Sequence, residues 1–188
     1  MTRFTLHTPQ TAPGDAGVQL AQINQAWGFI PNLHRTLAES PELLAGYDQL
    51  FSLVGKTSFS PVEQQVAFLA INYVNECEYC MAGHTALAGM VKVPAEIIAA
   101  LRDGTALPDA RLDALARFAA AVTERRGHVG DAAVSAFLGA GFTQRQVLEV
   151  ILIVATKTIS NYTNHITHTP TDAFMANTLW VAPSRRAA

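Results

Sequence analysis

The chain contains two cysteines, Cys77 and Cys80, and His84 follows four positions after the second. The surrounding segment reads Asn75-Glu-Cys-Glu-Tyr-Cys-Met-Ala-Gly-His84. With Asn75 as cap, both cysteines fall in the first turn of a helix and His84 lies one turn beyond Cys80. Positions i, i+3 and i+7 run along one helical stripe, so both sulfurs and the imidazole face a single pocket. Unpaired N–H groups and the positive end of the helix dipole favour a thiolate there, as does a nearby imidazolium. The spacing predicts a reactive pair.

A thiolate so placed has three uses: exchange with a disulfide, attack on a peroxide, or metal ligation. Attack on the terminal peroxide oxygen gives a sulfenic acid, which a neighbouring thiol converts to a disulfide. A reductant then restores the dithiol by exchange. Two blander readings compete. Free cysteines often act as small buried hydrophobes, and C-x2-C-x3-H supplies only three of the four ligands of a structural zinc site. His165 and His168 could complete such a site only by folding back. A thioredoxin-like motif needs flanking strands, and a c-type haem needs His where Met81 stands. A bridge between residues three apart closes almost no loop and cannot staple a fold. The expectation is local redox chemistry through a Cys77–Cys80 disulfide, with no metal and no other cofactor.

Helices must position this segment, and the chain spells out where they start. Ser40-Pro41-Glu42 gives a cap, a proline at the first helical position and an acid at the positive end, ahead of an apolar side through Leu43, Leu44, Tyr47 and Leu50. Ser60-Pro61-Val62-Glu63 is a capping box, and the helix after it is apolar on nearly every face and therefore buried all round. Thr143-Gln-Arg-Gln146 is another, heading a long helix that reaches toward His165. Shorter helices are expected from Val18 to Trp27, from Pro94 to Gly104, from Arg111 to Arg125, and from an Asp131 cap to Gly139 or Gly141. Period-2 strand patterns are nearly absent, so the class is all-α. The domain layout is an extended arm over 1–17, one helical domain over 18–182 and a loose tail over 183–188.

Apolar residues make up 49% and charged residues 15% of 188, which suits one well-cored globular domain. Thirteen scattered bases against fifteen acids argue against nucleic-acid or polybasic membrane binding. The longest apolar run, 147–156, carries Glu149 and falls far short of the roughly 20 residues of a bilayer span. The first residues lack the apolar core of a secretory signal, so a cytoplasmic protein is expected.

The chain resembles the carboxymuconolactone decarboxylase/AhpD-like superfamily, in its peroxidase-related branch. The resemblance rests on Gly-Phe-Ile-Pro-Asn at 28–32, Ser40-Pro41 before Leu43-Leu44, Ser60-Pro61-Val62-Glu63, the Cys77–His84 core, Val147-Leu-Glu-Val150 and Ser160-Asn-Tyr-Thr-Asn-His165. It implies an AhpD-like helical bundle, a homo-oligomer, and a thiol-dependent alkylhydroperoxidase or disulfide reductase. Its substrate would be a small organic hydroperoxide, and its electron donor a thiol protein or small dithiol. By position, Cys80 would be the peroxidatic thiol, Cys77 the resolving one, and His84 part of the proton relay that activates Cys80. The resemblance also implies a relay glutamate twelve residues before the first cysteine, where this chain has Gln65. Glutamine cannot take up and release a proton as a carboxylate does. Glu63 stands nearby and, with Gln65, is a candidate for the proton relay or pocket, although its capping role already accounts for it. Tyr79 replaces a histidine found between the cysteines of some relatives. Both departures predict weakened peroxidase turnover with dithiol exchange intact. Asn161, Asn164 and His165 have two readings, a border to the site from the same or a neighbouring subunit and, preferred, helix-end residues that cap. A lactone decarboxylase and a non-catalytic redox-sensing oligomer are the alternatives.

Overall fold

A computed structural model describes residues 4–186. Among the described residues, nine α-helices carry the fold: α1 Ala16–Trp27, α2 Asn32–Leu37, α3 Pro41–Val54, α4 Pro61–Val74, α5 Glu78–Met90, α6 Ala95–Asp103, α7 Ala110–Glu124, α8 Gly130–Gly139 and α9 Gln144–Thr167. A 3-10 turn at Ala173–Met175 and a last helical turn, α10 Pro183–Arg186, follow. No strand occurs among the described residues. The all-α, single-domain expectation is met.

The start signals work as the sequence proposes. Ser60 and Glu63 form a reciprocal capping box at α4, Thr143 and Gln146 another at α9, and Ser40 accepts from the Leu43 N–H at α3. Pro41 and Pro61 sit at the first helical positions, where their missing N–H costs nothing. Stops follow equally plain chemistry. Gly104 ends α6 at φ +68°, and a Cβ there would meet the Tyr73 ring at 2.1 Å. Only glycine fits.

Helix α4 is the axis. Its apolar side chains are buried on most faces, and it packs on α7, α5 and α9. On one side, Phe118, Phe137 and Phe142 stack beneath Val66 and Leu69 in the larger part of the core. On the other, Leu20, Leu33, Leu37, Leu44 and Tyr47 surround Cys77 and Cys80. The start of α2 is held by the cysteine segment itself, because the Leu33 N–H donates to the Tyr79 hydroxyl.

Four local expectations need correction. Asn75 does not cap α5; it closes α4, and Cys77 takes the N-cap position. The turn between the helices is made by Glu76 in the left-handed region at φ +51°, an unfavourable conformation for a non-glycine residue. Its carboxylate accepts hydrogen bonds from the Ser184 N–H and hydroxyl, which holds the turn. Residues 183–186, expected to be loose, are for the same reason docked, with Arg185 paired to Glu78; residues 1–3 of the arm and 187–188 of the tail lie outside the described residues. Asp131 sits inside α8, whose cap position is Val129. On α3, Leu44 and Tyr47 are buried as expected, but Leu43 is exposed.

Candidate active site

The sharp turn at Glu76 sets Cys77 at the mouth of α5 and Cys80 one turn inside it, both reduced and both buried. Their backbone is fixed by an asparagine chain. Asn75 donates to Asn161 Oδ1 at 2.8 Å, Asn161 to Asn72 Oδ1 at 3.1 Å, and Asn72 to the Cys80 carbonyl at 3.1 Å. One turn along α9 from Asn161, Asn164 donates to Cys80 Sγ at 3.2 Å. The reading of Asn161 and Asn164 as helix-end caps is therefore wrong. Both lie more than one residue inside α9, whose cap is His168, and both aim inward at the cysteine segment.

His84 lies where the helical stripe puts it, lining the same cavity as Cys80. Its expected cationic role fails. Burial, and then the charge of Lys157, hold the imidazole well below its ordinary pKa, so the ring is neutral. Its Nδ1 bonds to Gln65 Oε1 at 2.9 Å and its Nε2 to Lys157 Nζ at 3.1 Å. Because the amide oxygen and the ammonium allow only one arrangement, Nδ1 carries the hydrogen and Nε2 accepts from lysine. Gln65 thus orients the ring as a carboxylate would, but it offers no proton site.

The positive charge comes from Lys157, a residue the sequence reading missed. It is 1% exposed, inside α9, with its ammonium 5.6 Å over the Phe68 ring. A lysine buried in an apolar helix face asks for a partner; only that oddity in the run after Glu149 could have flagged it. Burial alone would raise the Cys80 thiol. The hydrogen bond from Cys77, the Lys157 charge and the Asn164 and Asn161 amides outweigh it and bring Cys80 down from 9.0 to about 5. Cys77 moves the other way, because burial and its neighbour's developing charge keep its proton on. One sulfur is poised as thiolate and the other as thiol.

Glu63 is not part of this group. It bonds to the Ser60 N–H and pairs with Arg111, and these contacts hold its carboxyl below the ordinary range. Tyr79 has its hydroxyl on Asp172 and serves packing. His165 and His168 line a separate cleft with Cys77. Among the described residues, no three His, Cys, Asp or Glu side chains gather as a metal site.

The cavity over Cys80 measures about 50 Å³, and rings of Trp27, Tyr47, Phe51 and Phe174 make much of its wall. Gly83 belongs to its floor, where a Cβ would press on the Met175 methyl at 3.0 Å. On the far side, Cys77 borders a cleft of about 440 Å³ with Glu76, Glu78, Arg185, His165 and His168.

Residues 41–110, which hold α3 to α6 and both cysteines, match the model of the carboxymuconolactone decarboxylase family. The family resemblance is borne out. Lys157 and Asn164 lie outside that segment. Solved structures extend the likeness to nearly the whole chain. A peroxidase-related protein with an AhpD core from Ralstonia eutropha JMP134 superposes with a TM-score of 0.80 at 21% identity, covering 92% of this chain and 93% of the other. A peroxidase-related protein from Silicibacter sp. TM1040 gives 0.75 at 19%, over 86% and 87%. The debrominase Bmp8, solved as a cysteine-to-alanine variant with tribromopyrrole, gives 0.77 at 19%, over 95% and 96%. At such identities the shared property is the AhpD-like fold. No curated protein matches the chain in sequence. Among the described residues, no single helix is long and apolar enough to cross a membrane.

Proposed function

We propose that the chain is a thiol-dependent peroxidase for small organic hydroperoxides. The observation that carries this reading is the shared cavity: a depressed Cys80 thiol beside neutral His84 and the Lys157 ammonium, under an apolar aromatic wall. The polar –OOH end of a substrate meets the charged floor, and its apolar end meets the rings.

The Cys80 thiolate attacks the terminal peroxide oxygen, the O–O bond breaks, and the departing alkoxide takes a proton to leave as ROH. Lys157 stands ready to supply that proton. Cys80 is then a sulfenic acid. Cys77, still protonated, attacks its sulfur, expels water and closes the Cys77–Cys80 disulfide. A thiol protein or small dithiol returns two electrons and two protons by exchange. No metal or further cofactor enters. Gln65 keeps His84 in the right tautomer but cannot recycle a proton, so reprotonation of the floor falls to solvent and limits turnover.

The test is thiol titration with one equivalent of an organic hydroperoxide. Two thiols should be lost per peroxide, and none in Cys80→Ser; unchanged thiols in the unaltered protein would refute the reading. Gln65→Glu should then raise steady-state turnover with a dithiol reductant.

A second reading draws on the aromatic wall and on the debrominase among the similar folds. The same dithiol could reduce an aryl bromide, ArBr plus two thiols giving ArH, HBr and the disulfide. Bromide release with loss of two thiols would favour it. A lactone decarboxylase has no use for the pair, and its activity would survive Cys80→Ser. A sensor would form the disulfide once without turnover.

A further inference from the structure

His34 is a second histidine in the cavity wall, and neither the proposed chemistry nor the family segment uses it. It sits in α2, 4% exposed, between the edges of Trp27 and Tyr47, each ring centroid 5.5 Å away. Its Nε2 pairs with Asp48 Oδ1 at 3.2 Å, while its Nδ1 is buried with no hydrogen-bond partner. Few buried nitrogens are left so, because an unmet polar atom is costly unless water or a ligand meets it. Asp48 accepts, so Nε2 carries a hydrogen, and the tautomer this fixes leaves the lone pair on Nδ1.

The rest of the wall is mostly hydrocarbon and rings, with the Tyr79 hydroxyl already donated to Asp172, and the floor holds the Lys157 ammonium beside the Cys80 sulfur. An acceptor in the wall is therefore selective. We infer that His34 Nδ1 is a binding residue that accepts a hydrogen bond from an O–H or N–H on the ligand, placing it over Cys80. The ligand class is then an apolar molecule with one donating head, as a hydroperoxide, a phenol or an N–H heteroaromatic is. Asp48 is the positioning residue that fixes the tautomer. This inference rests on the Cys80 cavity being the ligand pocket, but not on any particular redox reaction there.

The test compares pyrrole with furan, matched rings that differ in the N–H. Each is titrated as a protectant of Cys80 against methyl methanethiosulfonate, a thiol reagent with no donor of its own. In the unaltered protein, pyrrole should protect better relative to furan than it does in His34→Phe, by about three- to tenfold, the worth of one neutral hydrogen bond. His34→Phe keeps a ring between Trp27 and Tyr47. An equal ratio in both proteins, or no protection by either ligand, overturns the inference. Should His34→Phe fail to fold, ring ¹⁵N shifts of the unaltered protein decide. They should show a bare Nδ1 that moves on adding pyrrole and not on adding furan; a protonated Nδ1 overturns it. Because labelling needs no turnover, a protein inactive toward peroxides would still give a clear answer.

Discussion

Cys80 faces a cavity of about 50 Å³ walled by rings, whereas Cys77, one helical turn away, borders a cleft of about 440 Å³ edged with carboxylates, an arginine and two histidines. The two sulfurs are chemically the same residue. What separates them is which face of α5 each presents and which charges that face meets. Lys157, Asn164 and Cys77 itself draw Cys80 toward the thiolate, while the same proximity keeps the proton on Cys77. On the proposed function, a small apolar oxidant would use the first side and a bulkier polar reductant the second. One disulfide can then be made from one side and broken from the other.

That division can be attacked in order of expected effect. Cys80→Ser should reduce peroxide consumption to the uncatalysed background, whereas Cys77→Ser should leave the first oxidation intact and let a sulfenic acid accumulate, trapped by dimedone and read by mass spectrometry. If both variants behave alike, the sulfurs are not distinct.

The next largest effect belongs to the buried cation. With its pKa depressed, Cys80 is fully thiolate at neutral pH and loses reactivity only as pH falls through about 5. Lys157→Met removes the charge and should move the midpoint of the alkylation-rate profile up by roughly 1–3 pH units. An unmoved midpoint would show that another group sets the thiolate.

Asn164→Ala deletes one amide donor to the same sulfur. A hydrogen bond to a charged acceptor is worth about 1.5–3 kcal/mol, so the midpoint should rise by about one to two units. The shift should be smaller than that of Lys157→Met, since the amide is the lesser contributor, and a larger shift would reverse their ranking.

The smallest effect is expected across the dithiol. Arg185 pairs with Glu78 at the edge of the polar cleft, with most of its side chain exposed. Arg185→Ala should slow only reduction of the disulfide by a dithiol, by less than about fivefold, as fits an exposed pair worth about 0–1 kcal/mol. Slower peroxide oxidation in this variant would mean that the two sides are not independent.

Much of this was legible before any coordinates. Ser40 and Ser60 with their prolines and acids, and Thr143 with Gln146, set helix starts, since a cap is satisfied by residues two or three positions away. Cys80 and His84 share a cavity as the stripe requires, but Cys77, the N-cap of α5, borders the cleft on the other side, so the single pocket expected for all three is corrected to two. Asn75 misled because the identical residue suits the end of one helix and the start of the next, and the choice was made by Glu76 docking on Ser184, 108 positions on.

The sequence by itself determined the helices, their class and the side of α5 on which chemistry gathers, because those follow from contacts within a turn or two. Only the tertiary structure decided the charge at that place. Lys157 reaches His84 from 73 residues away and Asn164 reaches Cys80 from 84, through the packing of α9 on α4 and α5. Electrostatics in a buried site depends on distance through space and on what water has been excluded, and neither is written in spacing along the chain.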